Sequence, residues 1–454
     1  MNVDRARRVA ADVVIAVDRD GAYSNLLLPR LLRDRAITGV DAGFATELSY
    51  GTLRRQGSLD VVIGAGAKRD VTTLDPEVRG VLRLGAYQLL HTRVPPHAAV
   101  STTVELCRAV VGPKPAGLVN AVLRRVAERD WPGWVDRLAP SDDPVGRMAF
   151  DKGYPAWIAL AFADALGSSA ELDGALTDER PITHLVARPG RIGRDELVRL
   201  AGDGATAGPF SPYAVRLSSG DPAALRPVRG GRAAVQDEGS QLMAIALATT
   251  PVEGRDERWL DLCAGPGGKA ALLAGLLPES GRLVAGDLHP HRASLVAAAL
   301  GEDRRSLAVV ADVTVGGFHA AAADRVLLDA PCSGLGALRR RPESRWRRQP
   351  EDVIRLQALQ ERMLHSAVDA TRTGGVIGYV VCSPHPAETT AVVRAVQRER
   401  EDVELLDARP ALPGVPDLGP GPWVQLWPHR HGTDGMFLAL LRRRYDEHSA
   451  DDKR

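Results

Sequence analysis

The chain is short of cysteine, of net charge and of long apolar runs, and each shortage argues against a class of protein. Only Cys107, Cys263, Cys332 and Cys382 occur in 454 residues, and no two of them form a C-x-x-C pair. Zinc ribbons and fingers need such pairs, so no structural metal is expected. Lysine and arginine number 58 against 57 aspartates and glutamates, a net charge of +1. Any affinity for nucleic acid must therefore come from local basic patches. No apolar stretch approaches the ~20 residues that cross a bilayer. Residues 1–5 lack the apolar core of a signal peptide. The expectation is a soluble, cytoplasmic protein with reduced thiols and no membrane partner.

What is present is globular: 44% hydrophobic and 25% charged residues, over a length suited to roughly three domains. Residues 1–135 read as all-helical. Leu82, Ala86, Leu89 and Leu90 recur on one helical face, and Cys107 sits in an apolar stretch that suits a core. Asp41 is placed to cap a helix whose Phe44 and Leu48 point inward. Prolines at 132, 140 and 144 suggest the way out of this domain. Residues 145–230 carry short β-like runs at 184–187 and 213–217 around a helix-like 194–200, a small α+β module. Residues 231–445 alternate short apolar strands with helices, which implies a parallel sheet covered on both faces. Residues 446–454 form a polar tail.

The first strand-to-helix turn of this last domain runs Asp261-Leu262-Cys263-Ala264-Gly265-Pro266-Gly267-Gly268-Lys269. Glycines there let a backbone pass close beneath a ligand at the head of a helix. Asp287 ends the next strand and suits ribose hydroxyls; Asp312 ends the one after and suits an adenine edge. A dinucleotide site is disfavoured because G-x-G-x-x-G is absent, and the spacing of a phosphate-binding P-loop fails as well.

Two later strand ends carry reactive groups, Asp329-Ala330-Pro331-Cys332 and Val381-Cys382-Ser383. Both leave parallel strands toward the cofactor edge, so a carboxylate and two thiols converge. This is equipment for covalent activation of a pyrimidine. A thiolate added to carbon 6 of cytosine makes carbon 5 nucleophilic enough to accept a methyl group. Asp329 suits the protonated N3, and a second base must take the carbon 5 proton before the thiolate leaves. Next come Arg339, Arg340, Arg341, Arg345, Trp346, Arg347 and Arg348. Guanidinium groups beside the catalytic strand end would attract a phosphate backbone, and Trp346 offers a stacking face. The target base would have to leave its stack.

These motifs resemble the bacterial ribosomal RNA cytosine-5 methyltransferases of the Sun/Fmu type. The resemblance covers nearly the whole chain. It implies a NusB-type helical domain at 1–135, carried by residues 44–54 and 119–125, and an RRM-like module at 145–230. A Rossmann-like catalytic domain at 231–445 would follow, opened by residues 235–241 and closed by 432–437. It implies S-adenosylmethionine as cofactor, held by Cys263 through Lys269, Asp287, Asp312 and Asp329, with Lys269 paired to Asp329. Cys382 would be the nucleophile and Cys332 would assist product release. The implied substrate is a cytosine of 16S rRNA, at a site of the cytosine-967 type, in naked RNA or a partly assembled small subunit, with the enzyme a monomer. A transfer-RNA cytosine-5 methyltransferase and a non-catalytic assembly or antitermination factor are the alternatives. The sequence departs from the family at Val381, which replaces a threonine, and at residues 185–188, where relatives carry Arg-Val-Asn.

Overall fold

Aspartates followed by prolines set two of the helix starts in the first part of the chain. Asp130 accepts the Gly133 N–H at 3.0 Å and opens helix Trp131–Leu138. Asp143 does the same for Gly146 at 2.8 Å and opens helix Pro144–Lys152. Both helices carry proline in the first turn, where its missing N–H costs nothing. Of the prolines expected to mark an exit, Pro132 and Pro144 therefore open helices, while Pro140 lies between them. Asp41, expected as a cap, lies inside the first turn of helix Gly39–Arg54, whose N-cap is Thr38; a carboxylate there still favours the helix dipole.

The structure, a computed structural model, describes residues 4–177, 179–316, 318 and 320–445. The expected polar tail at 446–454 lies outside them. The chain forms two units, Met1–Asp178 with Leu338–Gln349, and Glu179–Ala337 with Pro350–Arg454. The helical unit thus runs well past residue 135. Ser58 donates to the Phe150 carbonyl at 2.6 Å, and the Trp131 indole to Asp151 at 2.6 Å. Its core joins Val9, Val13 and Val14 of the first helix to Leu48, Leu82, Cys107 and Leu123. Arg83, buried in this core, pairs with Asp18 at 2.9 Å and Asp60 at 2.6 Å.

In the second unit, β1 (Thr183–Ala187), β2 (Ala205–Ala207), β3 (Ala214–Leu217) and β4 (Ala233–Val235) form an antiparallel sheet of order β2-β3-β1-β4. With helices Arg194–Ala201 and Arg226–Arg229 between them, the module is a βαββαβ unit. It spans 183–235, so the expected bounds of 145 and 230 move at both ends. The first 30 or so of those residues are helical, and β4 is needed to close the small sheet. Leu185 and Ala187 pack in the module's own core while Val186 joins the core of the larger domain. Arg188 donates to the carbonyls of Gly231 at 3.0 Å and Ala299 at 2.9 Å. The segment that departs from the family at 185–188 is thus committed to packing.

The larger sheet contains β5 (Arg258–Asp261), β6 (Arg282–Asp287), β7 (Ser306–Val310), β8 (Ala323–Asp329), β9 (Thr371–Val381), β10 (Val403–Leu406), β11 (Val424–Gln425) and β12 (Phe437–Arg443). Its order is β10-β12-β9-β8-β5-β6-β7, with β11 beside β12. The pairs from β7 through β9 are parallel; β12 inserts antiparallel between β9 and β10. Both faces are covered. Val376 and Val380 of β9 point into one core, Ile377, Tyr379 and Val381 into the other, the period of two that a strand imposes. Strand order reverses between β5 and β8, which makes the edge above them a crevice. No helix among the described residues is long and apolar enough to cross a membrane.

Acid should weaken the helical unit through His91. Its ring lies 4.6 Å from that of Trp131 and 5.4 Å from that of Tyr87, and burial, with Arg55 nearby, pushes its pKa down to about 2. A depressed folded-state pKa contributes stability above the ordinary value of 6.5 that is lost as pH falls below it. Thermal unfolding of the full chain at about pH 7.5 and pH 5.5 should show a smaller acid loss for His91→Leu than for the wild type. Equal losses in both proteins would remove His91 from the account.

Candidate active site

The turn after β5 folds tightly because Gly267 adopts φ +106°, and a Cβ on it would come within 2.6 Å of the Ala299 methyl. Helix Gly268–Leu276 starts directly behind it. Asp287, at the end of β6, accepts the Gly265 N–H at 3.1 Å on one oxygen and the His289 N–H at 3.0 Å on the other. Arg292 lies 3.3 Å from the same carboxylate and donates to the Gly265 carbonyl at 2.6 Å. Asp312, beyond β7, accepts both the N–H and the hydroxyl of Thr314, which hold its carboxylate below the usual range. Each carboxylate retains lone pairs for further donors.

Lys269, almost wholly buried, donates to Asp329 at 2.7 Å. Burial works against its charge, but Asp329, Cys382 and Asp261 more than offset this and raise its pKa. Asp261, at the end of β5, is fully buried. Burial and the neighbouring Asp329 push its pKa up to about 8, with Lys269 opposing. The same burial and the same acids raise the Cys263 thiol.

Cys332 and Cys382 lie with their Sγ atoms 3.3 Å apart. The hydrogen bond to Cys382 and burial, then Cys382, Glu388 and Asp329, push the Cys332 thiol well above its ordinary pKa. The sequence-predicted residues at the ends of β5, β6, β8 and β9 and beyond β7 all stand at the C-terminal edge of one sheet. Sequence reasoning missed Asp261 as a charged neighbour of Lys269. It also missed Glu388, which binds Ser333 and Ser383, the residues following the two cysteines. A buried glutamate in a short turn carries no local signature.

The arginine-rich stretch departs from expectation, because Leu338–Gln349 belongs to the helical unit. Arg345 is fully buried, donates to the Gly153 carbonyl at 3.0 Å and lies 3.7 Å over the Tyr154 ring. The Trp346 indole donates to the Leu53 carbonyl at 2.8 Å, and its ring covers Gly57, where a Cβ would overlap it at 2.2 Å. Arg347 donates to the carbonyls of Ala22 at 2.6 Å and Val17 at 3.2 Å. Glu343 is buried on Ser24. Those carbonyls lie at or just past the C-terminal ends of helices Arg5–Asp20, Gly39–Arg54 and Pro144–Lys152. Helix ends leave such groups without partners, and the Arg345 and Arg347 guanidinium groups and the Trp346 indole satisfy them. Arg345, Trp346 and Arg347 thus build the fold rather than an RNA-facing stripe. Arg341 is exposed, and Arg339, Arg340 and Arg348 are half-buried.

A doubly covered sheet with a strand-order reversal, a glycine turn heading a helix and acids at successive strand ends define the nucleoside-binding methyltransferase class. The charges fit its cofactor: the acids would repel a pyrophosphate but suit ribose hydroxyls and a cationic sulfonium, and Lys269 is already paired. Comparison narrows this. The family model for 16S rRNA methyltransferase RsmB/F matches residues 246–442, and that of the NusB family matches residues 4–128. The "Putative methyltransferase" of Mycobacterium tuberculosis is 54% identical over 451 residues, 97% of each chain. Ribosomal RNA small subunit methyltransferase B of Citrobacter koseri is 32% identical over 453 residues, 97% of this chain and 99% of its own. The crystal structure of PH0851 shares the fold at TM-score 0.78, with 22% identity over 96% of this chain and 99% of that one. The chain belongs to the RsmB/F family and is an S-adenosylmethionine-dependent rRNA methyltransferase with a NusB-like helical domain.

Arg345→Ala should destabilise the full chain by roughly 2–4 kcal/mol, since it removes a buried charged donor and a cation–π contact. Trp346→Ala should destabilise as well. Denaturant titration decides: unchanged midpoints in both variants, with weakened RNA binding, would restore the RNA-facing reading.

Proposed function

We propose that the protein methylates carbon 5 of a cytosine in 16S rRNA, at a site of the cytosine-967 type, through a covalent bond from Cys382 to the base. It acts in the cytoplasm as a monomer. The observation that carries this reading is the 3.3 Å approach of the two thiols beside the Lys269–Asp329 pair. Carbon 5 is too weak a nucleophile alone. When Cys382 bonds to carbon 6 as a thiolate, the displaced electron pair reaches carbon 5 while N3 takes, by way of solvent, the proton the thiol gave up, and N3 returns it to solvent when the thiolate leaves. Asp329, steadied by Lys269, accepts the hydrogen bond from that N3–H. When bound, S-adenosylmethionine supplies the electrophilic methyl group; Cys263 through Lys269, Asp287, Asp312 and Asp329 are the residues that hold it. A general base then takes the carbon 5 proton. That electron pair re-forms the ring double bond and breaks the carbon–sulfur bond, and Cys382 leaves as a thiolate. The S–H of Cys332 donates to this departing sulfur, which makes it a better leaving group.

Phosphate contact falls to Arg341 with Arg339, Arg340 and Arg348, and to the helical domain. Arg341→Ala should weaken binding to RNA of any sequence and lower the salt slope by about one unit or less. An unchanged slope would remove Arg341 from the interface.

The chemistry is tested by incubating unmodified 16S rRNA and transfer RNA with labelled S-adenosylmethionine and mapping 5-methylcytosine. Cys382→Ala should abolish both transfer and covalent adduct, and Cys332→Ala should let a protein–RNA adduct accumulate. Reversed phenotypes would overturn the roles. Label confined to transfer RNA would overturn the substrate.

A further inference from the structure

Glu388 lies at the end of the short turn Pro386–Glu388 after the nucleophile strand, with no exposed surface. One carboxylate oxygen accepts the Ser333 N–H at 2.7 Å and the Gln360 amide at 3.3 Å. The other accepts the Ser383 hydroxyl at 2.7 Å and the Ser333 hydroxyl. The two serine hydroxyls are themselves 3.1 Å apart. Gln360, also fully buried, donates to the Pro331 carbonyl at 2.8 Å, and Tyr379 donates to the Glu388 carbonyl at 2.6 Å. One buried anion is therefore bonded to the residue that follows each cysteine. A carboxylate taken out of water costs several kcal/mol unless donors surround it. Here they do, so the anion and the two loops are fixed together.

We propose that Glu388 is a positioning residue of the two-thiol site, gripping Ser333 and Ser383 so that Cys332 stays within hydrogen-bond reach of Cys382. The inference rests on the covalent reading above. Its sharpest consequence concerns product release, because the donor to the departing thiolate is held only as well as its loop. Ser333 meets the carboxylate through both its N–H and its hydroxyl, Ser383 through its hydroxyl alone. Loosening the grip should therefore harm the Cys332 arm first.

The test is a single-turnover reaction of the full-length enzyme with unmodified 16S rRNA and S-adenosylmethionine, resolving free 5-methylcytosine RNA from covalent adduct. Glu388→Ala should slow release about tenfold or more, so that adduct accumulates although Cys332 is intact. Affinity for S-adenosylmethionine should stay within about twofold of wild type. Glu388→Gln should restore release, because the amide oxygen still accepts the Ser333 N–H and its NH2 donates to serine hydroxyls that rotate to accept. A purely structural role would lower all activity with the folded fraction and leave the adduct-to-product ratio unmoved. That ratio unmoved, or a glutamine variant as impaired as alanine, overturns the proposal. If Glu388→Ala fails to fold, Ser333→Ala should raise the adduct fraction and Ser383→Ala should slow adduct formation; unchanged kinetics in both overturn it equally. Transfer by Cys382→Ala, or no adduct from Cys332→Ala, would instead bring down the covalent reading itself.

Discussion

Parallel pairing of β8 with β9, in the register that sets Asp329 opposite Val380, is the constraint on which the site depends. The Ala330 N–H closes the ladder on the Val380 carbonyl at 2.9 Å, and beyond it the two strands end in the same direction. Cys332 and Cys382 then follow their strands by three residues and one. A slip of one residue would exchange the faces of β9 and drive the side chains fitted to each core into the other. Double burial makes that slip prohibitive, so catalytic alignment is inherited from core packing. The loops add their own ties. The Gly336 N–H donates to the Cys382 carbonyl at 3.0 Å, and the Gly435 N–H to the Gly336 carbonyl at 2.8 Å. The closing segment is therefore knitted into the site as well.

Charge is the second organising quantity. Asp261, Asp287 and Asp329 end three strands of one sheet, and each disfavours the ionisation of its neighbours. Lys269 is the buried cation that relieves this, at 2.7 Å from Asp329. The relief is unequal, since Asp261 stays pushed up to about 8 while Lys269 is stabilised as an ammonium. The same field acts on the thiols. The hydrogen bond from Cys382 and burial, with carboxylates nearby adding to them, raise the proton affinity of Cys332.

Much of this was legible because strand ends concentrate chemistry. Cys263, Asp287, Asp312, Asp329, Cys332 and Cys382 were each readable from an apolar run that stops at a reactive residue, a pattern a parallel sheet produces by construction. Residues that act through tertiary contact were not readable in that way. Glu388 is one glutamate among many, and its meaning comes from Ser333, 55 positions earlier. The ends of the helices were hard to read for a related reason. Aspartate followed by proline reads equally as a turn or as an N-cap with proline in the first helical turn. Only the helix packed behind it decides, and for Pro144–Lys152 that helix includes Ser58.

The arginine stretch shows why local charge is a poor guide to ligands. A guanidinium offers five N–H donors in a fixed fork, and a phosphate oxygen and a helix-end carbonyl are both acceptors of partial or full negative charge. From the sequence alone the two fates are indistinguishable. What separates them is whether orphan carbonyls stand within reach, and here two helix ends supply them to the guanidinium groups and a third to the Trp346 indole. Burying Arg345 is tolerable because the Tyr154 ring and the Gly153 carbonyl replace part of its hydration. The stretch that joins the Cys332 loop to helix Pro350–Ala370 is thereby anchored in the helical unit. A charged insertion next to a catalytic motif should be read first as a candidate for capping.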